Sequence, residues 1–83
     1  MMKIEEKVEK RFFPPLKIYT LRWGGKTCQV KTDPEGQVKV RATLQAVMDM
    51  EGISKAMSTN RAIETYPIIA QAAELIISKI NDN

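Results

Sequence analysis

Apolar and polar residues alternate through the middle of the chain, and two glycines interrupt the alternation. In the stretch from Lys17 to Lys31, the adjacent Gly24 and Gly25 can take the positive φ values of a two-residue hairpin turn. That turn sets Trp23 opposite Lys26, Leu21 opposite Cys28 and Tyr19 opposite Val30. Side chains alternate across a strand, so the apolar members of these pairs share one face, and a slip of one residue would scatter them. A second turn signal, Asp33-Pro34-Glu35-Gly36, pairs Asp33 with Gln37. Thr32 then lies opposite Val38, Val30 opposite Val40 and Cys28 opposite Ala42. The two turns together predict a three-stranded antiparallel meander over residues 16–42. Its apolar face holds Tyr19, Leu21, Trp23, Cys28, Val30, Val38, Val40 and Ala42.

The opposite face of this meander carries Arg22, Lys31, Lys39 and Arg41 among Ile, Thr and Gln, with no acid. It reads either as a solvated sheet face or as a surface that docks on phosphates or on an acidic protein. Lys31 directly opposite Lys39 is mildly repulsive, a strain that a bound polyanion would relieve.

The flanking segments read as helices and connections. Ile4, Val8 and Phe12 recur every fourth residue in a charged amino-terminal stretch, which predicts a short helix or, over residues 1–13, a mobile arm. Phe12-Phe13-Pro14-Pro15 ends any such helix and leads in extended form to the sheet, the phenylalanines either plugging the edge of the core or touching a partner. Thr43 caps a short helix from Leu44 to about Glu51, closed by Gly52. Ser58-Thr59-Asn60 reads as a loop or a second cap. Thr65 starts a longer helix that admits Pro67 in its first turn and runs to about Ile80. The whole is an α+β fold in a single domain of residues 1–83, with the sheet packed on one face by a short helix and a longer carboxy-terminal one.

The longer helix is apolar around much of its circumference, from Ile68 through Ile80. A three-stranded sheet covers one stripe of it. Leu75 and Ile77 therefore need cover from the shorter helix, from the amino-terminal arm, from a second copy in a homodimer or from a partner.

Composition narrows the function classes. The 83 residues carry a net charge of +3. Residues 1–41 hold ten Lys and Arg against five Asp and Glu, a balance of +5, whereas residues 42–83 hold three against five, a balance of −2. The basic character thus belongs to the amino-terminal half. Histidine is absent and Cys28 is the only cysteine, which excludes an internal disulfide and a His/Cys zinc site. No cofactor motif is present. Gly24-Gly25-Lys26-Thr27 lacks the earlier glycine of a phosphate-binding loop and lies between strands instead of before a helix. Ser54, Ser58 and Ser78 have no histidine to activate them, and Asp49 and Glu51 point apart on a helix, so no catalytic set emerges. No segment reaches the length of a membrane span, and the charged amino terminus is unlike a signal peptide, which places the expected compartment in the cytoplasm.

The run Pro14-Pro15-Leu16-Lys17-Ile18-Tyr19, the short strands after it, Asp33-Pro34, Gly36 and the helix from Leu44 are similar in layout to the amino-terminal arm-binding domain of lambda-type tyrosine integrases. The similarity covers roughly residues 14–50 and consists mostly of turn residues; the long second helix departs from that family, as does the lack of a catalytic domain. It implies a docking mode in which a sheet enters the DNA major groove with Arg and Lys against phosphates and bases.

Two function classes follow. The first is a non-catalytic adaptor or inhibitor, of the kind phages and mobile elements encode, that binds a larger protein or ribonucleoprotein assembly. The second is a regulator that binds DNA, or RNA, through Arg22, Lys31, Lys39 and Arg41. The modest charge, the lack of a helix-turn-helix pattern from Leu44 to Ala62 and the surplus apolar helix face favour the first.

Overall fold

The computed structural model describes residues 1–32 and 38–81. Among these residues three strands, β1 (Lys3–Glu9), β2 (Leu16–Trp23) and β3 (Lys26–Gln29), are followed by three helices, α1 (Val40–Met50), α2 (Thr59–Thr65) and α3 (Pro67–Asn81). The strands form one antiparallel sheet in the order β1-β2-β3, so the fold is α+β with a three-stranded meander.

The glycine turn forms as its sequence requires. Gly24 and Gly25 have φ of 49° and 77°, and the register places Trp23 against Lys26 and Leu21 against Cys28. The Val30 amide donates to the Tyr19 carbonyl at 2.9 Å, extending that register by one more pair. Tyr19, Leu21, Trp23 and Val30 are buried, whereas Arg22 on the opposite face is exposed.

The third strand differs from the expected one. It comes from the amino terminus: Lys3–Glu9 pairs with β2 along its whole length, from Lys3 opposite Arg22 to Glu9 opposite Leu16. Neither the short helix nor the free arm forms there. The physical reason lies in β2, eight residues long with only the four-residue β3 beside it. A two-stranded ribbon is marginal in water, and β1 satisfies the backbone groups along the second edge of β2. Pairing also turns Met2 into the core, with Ile4 packed against it.

On the other side of β3, Thr32 bridges Val38 as the register predicts, and the Lys39 amide donates to the Lys31 carbonyl at 2.7 Å. Pairing stops there. Val40 does not sit opposite Val30 but begins α1, and Ala42 is exposed instead of facing the core. Val40, Leu44, Val47 and Met48 follow helical spacing and pack as one stripe, which buries more than Val40 and Ala42 could on a short edge strand. The expected turn at Asp33-Pro34-Glu35-Gly36 lies outside the described residues.

Thr43 consequently sits inside α1 and is not its cap. It is fully buried; its hydroxyl accepts from the Lys31 amide at 2.8 Å and donates to the Lys39 carbonyl at 3.1 Å. One side chain thus ties the strand end to the helix start. At the far end Gly52 (φ 73°) donates to Asp49 and Ile53 to Met48, while Ile53 is buried with Met48. This pattern of paired carbonyls and an apolar contact terminates α1. The segment Ser58-Thr59-Asn60, expected as a loop or a second cap, opens α2, whose Ser58 hydroxyl accepts from the Arg61 amide at 3.2 Å as an N-cap. Helix α3 begins at Pro67 and not at Thr65, which ends α2; it packs on α1 and α2 and reaches β1. No buried side-chain polar atom among the described residues lacks a hydrogen-bond partner.

Candidate interaction surface

The helices cover only one end of the sheet. Ile4, Tyr19, Leu21 and Trp23 lie beneath them, whereas Val8 and Lys17, farther along the same face, are exposed. Every residue from Lys10 to Lys17 is exposed. The outer part of the β1–β2 hairpin therefore projects past the helical layer, by about 10 Å from Tyr19 to Leu16 at the usual strand rise. The overall dimensions agree. The radius of gyration is 13.1 Å, with extents of 40 × 25 × 20 Å, against about 12 Å for a compact chain of this length.

Apolar side chains gather on this projection. Val8, Phe12 and Leu16 are each more than two-fifths exposed, and Phe13 is fully exposed. The phenylalanines do not plug the core edge. Val8 lies on the helix-side face and Leu16 on the opposite one, so the projection is apolar on both sides. Cations are interleaved with them. Glu9 is shared between Lys7 at 3.1 Å and Arg11 at 3.6 Å, and the Arg11 guanidinium lies 5.1 Å from the centre of the Phe12 ring.

The four cations singled out in the sequence do not assemble on one sheet face. Arg22 is on the open face of β2, where its guanidinium donates to Glu5 on β1 at 2.8 Å. The addition of β1 gives that face Lys3, Glu5, Lys7 and Glu9, so its charge is mixed. Lys31, Lys39 and Arg41 are exposed around the amino end of α1, linked by the Lys39–Lys31 hydrogen bond. The chain between Lys31 and Lys39 carries Asp33 and Glu35, outside the described residues. Of the two apolar positions on α3, Leu75 is partly buried against the core and Ile77 is exposed.

At the other end of the sheet, Lys3, Arg22, Trp23, Gly24, Gly25 and Lys26 help line a shallow depression of about 330 Å³. Two of its three cations are engaged, Arg22 by Glu5 and Lys26 by Glu51 at 2.8 Å. Glu51 also accepts from the Trp23 indole at 2.6 Å. Hydrogen bonds from Lys26 and then from Trp23 hold the Glu51 carboxyl below its ordinary pKa. The cluster locks the hairpin turn to the end of α1. Burial pushes the Cys28 thiol up, opposed in part by the Lys31 charge.

Among the described residues no three His, Cys, Asp or Glu side chains are grouped to hold a metal ion, and no helix is long and apolar enough to cross a membrane. The fold and surface define an α+β domain with a protruding aromatic hairpin. The chain matches no protein-family model, no curated protein and no solved structure.

The sequence offers Phe12 and Phe13 as a core plug or a partner contact, without the hairpin that carries them. The projection's signal was present as two adjacent phenylalanines between basic residues in a segment without one buried position.

Proposed function

We propose that the chain is a small non-catalytic binding protein that acts in the cytoplasm as an adaptor or inhibitor of a larger protein or ribonucleoprotein assembly, and that the end of the β1–β2 hairpin is its contact element. The exposure of Phe13, together with that of Phe12, Leu16 and Val8, carries this reading. A phenylalanine left in water adds nothing to folding, while contiguous exposed apolar surface is characteristic of interaction sites. Aromatic side chains also dominate the energetics of interfaces when a partner encloses them.

The test compares affinity purifications from native extract, with nuclease and without, using the parent, Phe12→Ala/Phe13→Ala and Ile77→Lys. The parent and the Ile77 variant should retain the same partners, and the double alanine variant should lose them while its circular dichroism and melting temperature stay within about 2 °C of the parent. Retention by the double alanine variant would overturn the assignment of the hairpin.

A further inference from the structure

The segment 7–17 holds Lys7, Lys10, Arg11 and Lys17 against Glu9 alone, a local charge of +3, which equals the net charge of the whole chain. The remaining residues carry nine cations and nine acids. The net positive charge is thus concentrated on the projecting hairpin, where it steers an approaching polyanion toward the aromatic end.

The arrangement of these groups narrows the polyanion. Glu9 engages Lys7 and Arg11, while Lys10 and Lys17 form no ion pair among the described residues. Lys7 lies on the open face of the hairpin and Lys17 on the helix-side face, so cations flank the ribbon on both sides. Arg11 lies over the Phe12 ring; Phe13 is fully exposed and offers both ring faces to a ligand. Duplex DNA is read at base edges by Arg, Lys, Asn or Gln and hides the flat faces of its bases, which leaves the exposed Phe13 ring nothing to stack on. Between residues 7 and 17 there is no Asn, Gln, Ser or Thr to add to such readout. Unpaired strands present the opposite chemistry, base faces free to stack on aromatics and phosphates free to meet Lys and Arg. Resting on the reading of the hairpin as the contact element, we infer that its end takes an unpaired segment of nucleic acid, with a base stacked on Phe13 and phosphates held by Lys10, Lys17 and Arg11.

The experiment measures fluorescence anisotropy of fluorescein-labelled 12-nucleotide oligo-dT and oligo-U, and of a 12-base-pair duplex, with the full chain at several salt concentrations. Both single strands should bind more tightly than the duplex. Three phosphate contacts give a slope of log affinity against log salt of about −2. Phe13→Ala should weaken binding about 5- to 150-fold, the worth of one stacked base, with unchanged circular dichroism. Phe13→Trp should restore it, and Lys10→Glu/Lys17→Glu should abolish it. Failure of the parent to bind either single strand overturns the inference, as does equal or tighter duplex binding or affinity unmoved by Phe13→Ala. Phe13-dependent binding to vesicles of phosphatidylserine without oligonucleotide binding would assign the end to a lipid surface instead. If the oligonucleotides fail while nuclease-resistant partners still depend on Phe12 and Phe13, the nucleic-acid inference falls and the hairpin contact stands; if neither depends on the phenylalanines, both fall.

Discussion

Replacing Thr43 by Val isolates the joint between sheet and helix. The two side chains have nearly the same shape and similar helix propensity, so neither packing nor intrinsic preference changes much. What disappears is the hydroxyl that accepts from the Lys31 amide and donates to the Lys39 carbonyl. The carbonyl keeps the Thr43 amide as a donor at 3.1 Å, but the Lys31 amide loses its acceptor in a partly buried place. Leaving such a group unsatisfied costs about 1–3 kcal/mol, and we take about 2 kcal/mol. Thr43→Ser keeps the hydroxyl and deletes one methyl, which costs about 1 kcal/mol. At about 4–8 °C per kcal/mol for a domain of this size, the Val variant should melt about 8–16 °C below the parent and the Ser variant about half as far below. Urea unfolding followed by the emission of Trp23, the only tryptophan and a buried one, reads both values. An unchanged slope with a lower midpoint would mark a loss of stability and not of compactness. Hydrogen exchange at the Lys31 amide should accelerate in the Val variant alone. A Val variant within about 0.5 kcal/mol of the parent, or one less affected than Ser, would refute the reasoning, since the buried methyl would then matter more than the hydrogen bond.

Gly25→Val should cost about 1–2 kcal/mol in the same assay, because Gly25 has φ 77° and no atom lies within 4 Å of an added Cβ, so the penalty is conformational; a variant as stable as the parent would contradict the turn geometry. Glu51→Gln should narrow the stability gap from the parent on acidification. A free glutamate titrates near about 4.3, and Glu51 is held lower in the folded chain. Its stabilisation is therefore present above that pH and is lost as pH falls through the folded value. Urea unfolding at neutral pH and near pH 3 reads the difference, and a gap that does not change with pH would show that Lys26 and Trp23 do not stabilise the carboxylate.

The parts of the fold legible in the sequence were those written in local chemistry. Gly24-Gly25 dictated a turn and with it the pairs Trp23–Lys26 and Leu21–Cys28, all of which form. Thr32 and Val38 pair as counted across the second turn. Pro67 marks the first residue of α3, and Ser58 caps α2, though α2 itself offers only Ala62 and Ile63 as apolar positions and was too short to read. Two segments had patterns that fit two periods. Met2, Ile4 and Val8 suit a strand face, yet Ile4, Val8 and Phe12 also suit a helix; Val38 and Val40 alternate like a strand, while Val40, Leu44, Val47 and Met48 repeat like a helix. Which period wins depends on what each segment packs against, and that information is not local.

Two topological changes, one at each edge of the sheet, relocate the candidate surface. Had the third strand come from residues 37–42, Lys39 and Arg41 would have joined Arg22 and Lys31 on a sheet face free of acids. In the structure β1 occupies the other edge of β2, so Glu5 and Glu9 enter the open face, and Glu5 engages Arg22. Lys39 and Arg41 leave the sheet for the start of α1. The same pairing extends the β1–β2 ribbon beyond the helices, carrying Lys10, Arg11, Lys17 and both phenylalanines into solvent. The charge asymmetry visible in the composition is real, but its location follows from the partner that completes the sheet.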